Sequence, residues 1–501
     1  MKLVTAGQMT ELEQIAINTY GIDGLLLMEN AARSFCDVLE VEWGNLYNKS
    51  IAVFCGKGNN GGDGFAISRH LVNRGACVTV VMESDPADLK QDAGKNFDII
   101  TCMGVPVVGL SEIEKTQFDI VIDALLGTGF HGTATGIMVD LINAINDSGA
   151  KIVAVDVPSG ADCSCGAVNG PCVHADLTIT FALPKPGHFL YPAKEFCGKV
   201  VTTDISIPKK VTEDFSATTY TLDSTLAECL PPRRENAHKG SFGKVLVFAG
   251  SVGMSGAAVM TTTAILKTGA GMVTAAVPDA LCDLFATQFP EAMILPLPAE
   301  NTAAFILEKL ENQNVFLAGC GLGSAEETQN TLQLLVLACK KPMVIDADGI
   351  NALAGHIHLI KNKTVPVVLT PHPLEFSRLS GLSVDYIQKN RLQVARDFAT
   401  ENGVVLVLKG ADTVVAHPEG KAYISPQSNS GLAKAGSGDV LAGIIAALIA
   451  QGAVPGDAAN LGVYLHSRAG MMAREKLGAY SMMASDVLSA LPEAICELAR
   501  E

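Results

Sequence analysis

The sequence predicts an α/β protein of two domains, and three observations predict it. Short runs rich in Val and Ile alternate with helical stretches along almost the whole chain, the pattern of parallel strands buried on both faces and joined by crossover helices. The 501 residues exceed the size at which one hydrophobic core stops growing and chains divide. Two glycine-rich, carboxylate-bearing loops stand nearly four hundred residues apart, Gly56-Lys57-Gly58-Asn59-Asn60-Gly61-Gly62-Asp63-Gly64 and Ala435-Gly436-Ser437-Gly438-Asp439. Each precedes a helical segment, so backbone N–H groups and a positive helix end can face an anion.

The first fifty residues read as two helices, with Leu12, Ile15 and Ala16 and then Leu25 to Leu39 at helical spacing. Strands are expected at 50–55, 76–82, 118–123, 151–156, 177–181 and 199–204. A weakly patterned connection from Ile207 through Pro231-Pro232-Arg233-Arg234 then divides the chain near Ser216, into domains of 1–215 and 225–501. The second series of strands is expected at 243–249, 272–277, 315–318, 342–346, 365–370 and 404–408. A hairpin, 413–416 and 422–424 around His417-Pro418-Glu419-Gly420, precedes helices from Gly438 to the end. No repeat period is visible, which excludes a solenoid.

Composition narrows the function. With 48% hydrophobic and 18% charged residues, disorder is excluded. Thirty-six Lys plus Arg against 52 Asp plus Glu give a net charge of −16, and without a long basic run a nucleic-acid partner is not expected. Met1-Lys2-Leu3-Val4-Thr5 leads into polar helical sequence rather than a signal peptide. Leu441 to Ala450 is about half of a bilayer span, so no membrane partner is expected either. The 13 cysteines are scattered, as in a reduced, cytoplasmic protein, here expected to form a homo-oligomer. Cys163-Ser164-Cys165, with Cys172 and His174 beyond, lacks the spacing of a zinc knuckle.

The first glycine loop formally matches GxGxxG between a strand and a helix, with Glu83 about twenty residues on, which keeps a plain NAD-dependent dehydrogenase open. Two helices before the motif, two asparagines inside it and a carboxylate at Asp63 count against that reading. Such a loop suits a polar ring or a cation better than a pyrophosphate. Asp123-Ala124-Leu125-Leu126-Gly127-Thr128-Gly129 and Asp156-Val157-Pro158-Ser159-Gly160 follow later strands, where open α/β sheets hold ligands, and should converge with Asn60. A lone strand-end Asp is equally often a helix cap; three such loops together indicate a site.

Gly58 to Gly64, Asp123 to Gly129 and Asp156 to Gly160, in this order, resemble the signatures of the NAD(P)H-hydrate epimerase family over about residues 1–215. The resemblance implies a Rossmann-like α/β/α fold. It also implies that hydrated NAD(P)H is held by Asn59, Asn60, Gly61, Gly62 and Asp63, by Gly127, Thr128, Gly129, Phe130, His131, Gly132 and Thr133, and by Asp156. It further implies a potassium ion on Asn60, Asp123 and Ser159, oxygen ligands of the kind a hard cation takes. Epimerisation needs a proton-transfer group near the hydrated ring carbon. Asp156 is the candidate, with Asp123 next if Asp156 is a cap.

In the second half, the N–H groups around Gly436-Ser437-Gly438 can form an anion hollow, in which Asp439 is a poor anion ligand but a good base. With Lys409-Gly410-Ala411-Asp412-Thr413 it resembles the ribokinase-like fold. Together with His238 to Lys244, Gly250 to Ala258, Gly319-Cys320-Gly321-Leu322-Gly323, Asp346-Ala347-Asp348-Gly349 and His372-Pro373, it is similar to the ADP-dependent NAD(P)H-hydrate dehydratases over about residues 225–501. By that similarity Lys409, Gly410, Ala411, Asp412, Thr413 and Gly438 contact the adenine nucleotide, while Gly253, Ala257, Gly323, His372 and Asp439 face the hydrate. Leu374 departs from the family's glycine in the His-Pro turn, and leucine resists positive φ.

The implied chemistry is phosphorylation of a ring hydroxyl with ADP as co-substrate, Asp439 as base and a magnesium ion balancing the nucleotide charge. Loss of phosphate then restores NAD(P)H. A fused epimerase would supply the one epimer that the dehydratase uses. Two other readings stay open: a ribokinase-like small-molecule kinase fused to a nucleotide-binding domain, and a front half that only binds or oligomerises.

Overall fold

The structure, a computed structural model, describes residues 1–89, 91–113, 116–361 and 363–500. The chain forms two compact units, Lys2–Thr219 and Tyr220–Glu501, the latter joined by Met1.

In the N-terminal unit seven parallel strands lie in the order Val107–Val108, Cys77–Val81, Ser50–Cys55, Ile120–Ala124, Lys151–Val155, Leu177–Phe181, Lys199–Thr203. Both faces are covered, and Ser50–Cys55 shows how. Ile51, Val53 and Cys55 enter one core with Leu12, Phe35 and Phe65, while Ala52 and Phe54 enter the other with Leu141 and Ile142. Because every second residue on both sides must be apolar, the strand reads as a continuous hydrophobic run rather than an alternation. The order reverses at Ser50–Cys55, whose neighbours are Cys77–Val81 and Ile120–Ala124. A crevice therefore opens beyond the carboxyl ends of Ser50–Cys55 and Ile120–Ala124. The leading helices, Ala6–Tyr20 and Gly24–Trp43, are capped by Thr5 and Asp23. The edge strand Val107–Val108 was not anticipated from sequence; two residues are too few to show a period.

Among the described residues nine strands lie wholly within the C-terminal unit, ordered Ala422–Ile424, Val414–Ala416, Val405–Leu408, Val367–Leu369, Met343–Ile345, Val315–Ala318, Lys244–Phe248, Met272–Pro278, Met293–Leu297. The first two form the antiparallel hairpin, and the rest are parallel. The order reverses at Lys244–Phe248, between Met272–Pro278 and Val315–Ala318. Met293–Leu297 escaped the sequence reading because its exposed edge carries Met293 and Pro296 in place of a Val/Ile run. The helix Ser437–Ala450 is buried at all but two positions, which explains its nearly unbroken apolar sequence.

Candidate active sites

The N-terminal crevice collects the residues singled out from the sequence, with two changes to their roles. Asn59–Asp63 is not a loop but the opening turn of the helix Asn59–Asn73. Its glycines also serve packing rather than phosphate approach. A Cβ on Gly56 would stand 2.0 Å from the Leu125 carbonyl oxygen, and one on Gly61 would stand 1.7 Å from that of Gly56. Only backbone fits between these loops, so the motif is glycine-rich even without a pyrophosphate. Glu83 is likewise committed elsewhere, accepting from Leu110 N at 2.5 Å. The dehydrogenase fingerprint is thus a formal match.

Asn60, Asp123 and Ser159 come together around Leu126. Asn60 Nδ2 donates to Leu126 O at 3.1 Å, and Leu126 N donates to Ser159 Oγ at 2.8 Å. Ser159 donates to Asp123 through N at 2.7 Å and Oγ at 2.6 Å, and Leu125 N adds a third bond at 3.2 Å. Asp123 is fully buried, and among the described residues no ion pair reaches it. Burial raises its carboxyl to about 6 even though the Ser159 and Leu125 bonds pull the other way. Its partners are one hydroxyl and two backbone N–H groups, with no basic side chain among the described residues, so the buried carboxylate carries a charge that a cation would neutralise.

Asp156 follows the strand Lys151–Val155 with φ of +64°, a left-handed conformation that costs energy for a residue with a Cβ and marks over-determined sites. Four groups fix it. Its Oδ1 accepts from Lys185 Nζ at 2.5 Å, Thr180 Oγ1 at 2.7 Å and Phe181 N at 3.2 Å. Its carbonyl faces His188 Nε2 at 3.0 Å, and because Lys185 N donates to His188 Nδ1 at 3.2 Å, Nε2 must carry the ring proton. Burial pushes His188 down to about 4, with Lys185 adding to the effect, so the imidazole stays neutral. Burial alone would raise Asp156, but the ammonium of the wholly buried Lys185 outweighs it and holds the carboxyl below its ordinary range. Asp63 shows the opposite outcome: desolvation, then the charges of Asp156 and Glu13, raise it well above its usual value. Two carboxyl groups driven apart in this way can divide base and acid roles.

Of the Gly127–Thr133 loop, Gly127 lies against Asn60, which a Cβ would meet at 3.1 Å. His131 extends outward to pair Asp162 at 2.6 Å, and Gly129, Gly132 and Thr133 are exposed. Sequence reading missed Lys185, His188 and Glu13. A lysine in Pro184-Lys185-Pro186-Gly187-His188 looks like an exposed turn, and only the fold shows it buried. Cys163 and Cys172 donate to the Thr128 and Val173 carbonyls.

The C-terminal site lies beyond the carboxyl ends of the parallel strands. The helix expected from Gly438 begins one residue earlier, at Ser437 behind Gly436 with φ of +92°, so Gly438 and Asp439 belong to its first turn and share its free N–H groups. Against this turn stands Lys409, whose Nζ is 3.0 Å from where a Gly438 Cβ would be. Lys409 pairs Asp346 at 2.6 Å and lies 4.0 Å from Glu375. Burial would discharge it, yet Asp346 and Glu375 keep its ammonium charged. Asp439 is raised to about 6 by burial and then by Asp346. Cys320, Asp346 and Asp439 place their ligand atoms within 4.8 Å of one another. Asp346 and Glu375 are the partners that the sequence did not reveal, because 63 positions of chain separate Asp346 from Lys409.

The Lys409–Thr413 turn presents backbone rather than its carboxylate. Asp412 is buried and pairs Arg391 at 3.0 Å, while Arg391 also donates to the Leu408 and Lys409 carbonyls at 2.9 and 3.1 Å. Thr413 Oγ1 closes the turn onto Gly410 O at 2.9 Å, leaving Gly410 and Ala411 exposed. Asp412 thereby fixes the turn from beneath, and its backbone is what faces outward. Ala257 meets the 319–323 loop, where a Cβ on Gly321 would stand 2.7 Å from its own and Ser251 Oγ donates to Gly321 O at 2.9 Å, while Gly253 has open space beside it and φ of +90°. Gly323 N donates to Asp348 at 2.8 Å. His372 caps the helix Pro373–Ser380, its Nδ1 accepting from Leu374 N and Glu375 N. Leu374 sits in that first turn with negative φ, so the leucine needs no glycine-like conformation.

Comparison with known proteins matches both units. Residues 245–493 match the family model described as NAD(P)H-hydrate dehydratase, and residues 24–187 match that of the YjeF-related protein N-terminus. The bifunctional NAD(P)H-hydrate repair enzyme Nnr of Moorella thermoacetica is 42% identical over 519 aligned positions, covering 100% of this chain and 98% of its own. Among solved structures, the ADP/ATP-dependent NAD(P)H-hydrate dehydratase of Bacillus subtilis, crystallised with ATP and Mg²⁺, aligns at 30% identity and a TM-score of 0.50, over 56% of this chain and 98% of its own. A ribokinase-like superfamily protein of Enterococcus faecalis V583 aligns at 27% and 0.51, over 57% and 99%. The C-terminal unit is ribokinase-like, and, aligned from end to end with such a relative, the chain belongs to the bifunctional NAD(P)H-hydrate repair enzymes.

Proposed function

We propose that the chain repairs hydrated NADH and NADPH, its N-terminal unit interconverting the R and S hydrates and its C-terminal unit dehydrating the S form at the expense of ADP, giving AMP and phosphate. The observation that carries the second step is Asp439, a half-desolvated carboxylate in the first turn of a buried helix beside the Lys409 ammonium. Asp439 removes the proton of the ring hydroxyl as its oxygen attacks the terminal phosphorus of the nucleotide, and the bond from that phosphorus to the AMP oxygen breaks. Free N–H groups of the Ser437–Asp439 turn and the Lys409 charge stabilise the transferred phosphoryl group. Water is a poor leaving group, whereas phosphate departs with the C–O bonding pair as the ring nitrogen lone pair moves in to form a C–N double bond. Loss of a proton from the neighbouring ring carbon then restores the dihydronicotinamide.

In the N-terminal unit, Asp156 is the proton-transfer group. Three donors occupy Oδ1, and Oδ2 is left to the substrate. Asn60, Asp123 and Ser159 fit a potassium ion, which when bound would neutralise the Asp123 carboxylate, with which no cationic side chain pairs among the described residues. For magnesium the protein offers Asp346 and Asp439, the first already paired with Lys409, so phosphate and water oxygens would complete its shell. The thirteen free thiols suit a reducing, cytoplasmic setting.

The direct test incubates the protein with mixed hydrate epimers, with and without ADP, following the absorbance of the reduced nicotinamide. Full recovery with ADP is expected; recovery of half would remove the epimerase reading, and a phosphorylated product without recovery would favour the kinase. The pH profile is a second check. Asp439 must be ionised to act, so dehydration kcat/KM holds above about 6 and falls toward tenfold per unit below it. A profile flat down to pH 5 would remove Asp439 as base. Third, replacing K⁺ by tetramethylammonium should slow epimerisation about tenfold, worth ~1.4 kcal/mol, and leave Asp123→Ala no slower than it already is.

A further inference from the structure

We propose that the dehydratase site favours the hydrate whose adenosine ribose has a free 2′-hydroxyl over the one that is 2′-phosphorylated, through the carboxylates of Asp279 and Glu327. This rests on the dehydratase reading. The hydrate is a dinucleotide, and beyond the damaged ring it carries a diphosphate and an adenosine that no residue above accommodates. The sheet order indicates their side. Lys409 ends the strand Val405–Leu408, whereas the hydrate loops follow Lys244–Phe248 and Val315–Ala318. The direction away from the co-substrate therefore runs toward Met272–Pro278 and Met293–Leu297.

A cavity of about 250 Å³ lies there, lined among others by Ser251, Asp279, Leu297, Leu322, Glu327 and Thr331. It is continuous with the hydrate loops. Ser251 stands two residues before Gly253 and holds Gly321 O at 2.9 Å, and Leu322 directly precedes Gly323. Leu297, Leu322 and Pro298 supply an apolar wall for a purine, and Thr302, Thr328 and Thr331 supply hydroxyls. Its only ionisable lining groups among the described residues are Asp279 and Glu327, with no Lys, Arg or His. A carboxylate accepts a hydrogen bond from a ribose 2′-hydroxyl, as acidic residues do in sites selective for the non-phosphorylated coenzyme. A 2′-phosphate would bring about two negative charges to the same place without a basic partner.

The test is steady-state dehydration of the two S hydrates, with ADP in excess, by the full-length protein and two variants. Wild type is expected to show kcat/KM about tenfold higher on NADH hydrate, expressed mainly in KM, since a like-charge contact in solvent weakens binding without touching the chemistry. Asp279→Asn with Glu327→Gln should bring the ratio to near unity by improving the 2′-phosphorylated substrate. Asp279→Lys should invert it. Equal efficiencies in wild type, or a ratio that neither variant moves, would overturn the proposal while leaving the dehydratase reading intact. Turnover of neither hydrate by wild type would overturn that reading and the proposal with it.

Discussion

Replacing Asp439 by asparagine should lower the kcat of nucleotide-driven dehydration by about a thousandfold, the range expected when a positioned general base is lost, with epimerisation unchanged. Asparagine keeps the size and one oxygen of the side chain but cannot accept the hydroxyl proton. The hollow at Ser437–Asp439 and the Lys409 charge remain, so nucleotide KM should move little and the loss should fall on kcat. Two structural features make the prediction specific. Burial and Asp346 hold the Asp439 carboxyl near 6, basic enough to take a proton yet ionised at neutral pH. The helix Ser437–Ala450 is buried along nearly its whole length, so its first turn is held rigid by packing. A variant retaining wild-type kcat would show that the hydroxyl loses its proton elsewhere.

Lys185→Met should abolish epimerisation and lower the thermal stability of the N-terminal unit, while ADP-driven loss of the S hydrate persists. Lys185 has no exposed surface and is, among the described residues, the one ammonium on Asp156, with Asp63 and Glu13 close enough to repel that carboxylate. Removing one partner of a buried pair leaves an uncompensated charge and costs about 3–5 kcal/mol. Asp156 would respond by holding a proton, which removes the base. The sign can be read in the pH profile. Asp156 is held low in wild type, so its ionisation persists into acid; in the variant, any residual epimerisation should rise with pH across the neutral range. Asp156→Asn in the Lys185→Met background separates the effects, restoring much of the stability because the orphaned charge is gone, but none of the activity. An active, equally stable Lys185→Met protein would show that Lys185 supports neither fold nor site.

Much of the fold was legible because parallel strands buried on both faces leave continuous Val/Ile runs. Ser50–Cys55, Leu177–Phe181 and Val315–Ala318 fall where those runs are. Two of the strands that escaped, Val107–Val108 and Met293–Leu297, are edges with one neighbour each, where burial does not enforce the pattern. Turn chemistry misled once. The Asn59–Asp63 segment reads as a loop because of its glycines, yet it is helix, and its glycines answer to the backbone of Leu125 and Gly56 at distances no local rule contains.

The sequence by itself determined the architecture, the order of the loops and the chemical types placed beside buried elements: Asn60, Asp123 and Asp156 each follow a run of buried residues and Asp439 precedes one, and local pattern suffices to find them. Tertiary structure alone decided their ionisation and freedom. Whether Asp156 is a base or a cap depends on Lys185, and whether Asp439 sits near 6 depends on Asp346, residues joined to them only by the crossing of strands. A carboxylate's pKa is set by desolvation and by charges within a few ångströms, quantities that belong to space and not to the chain.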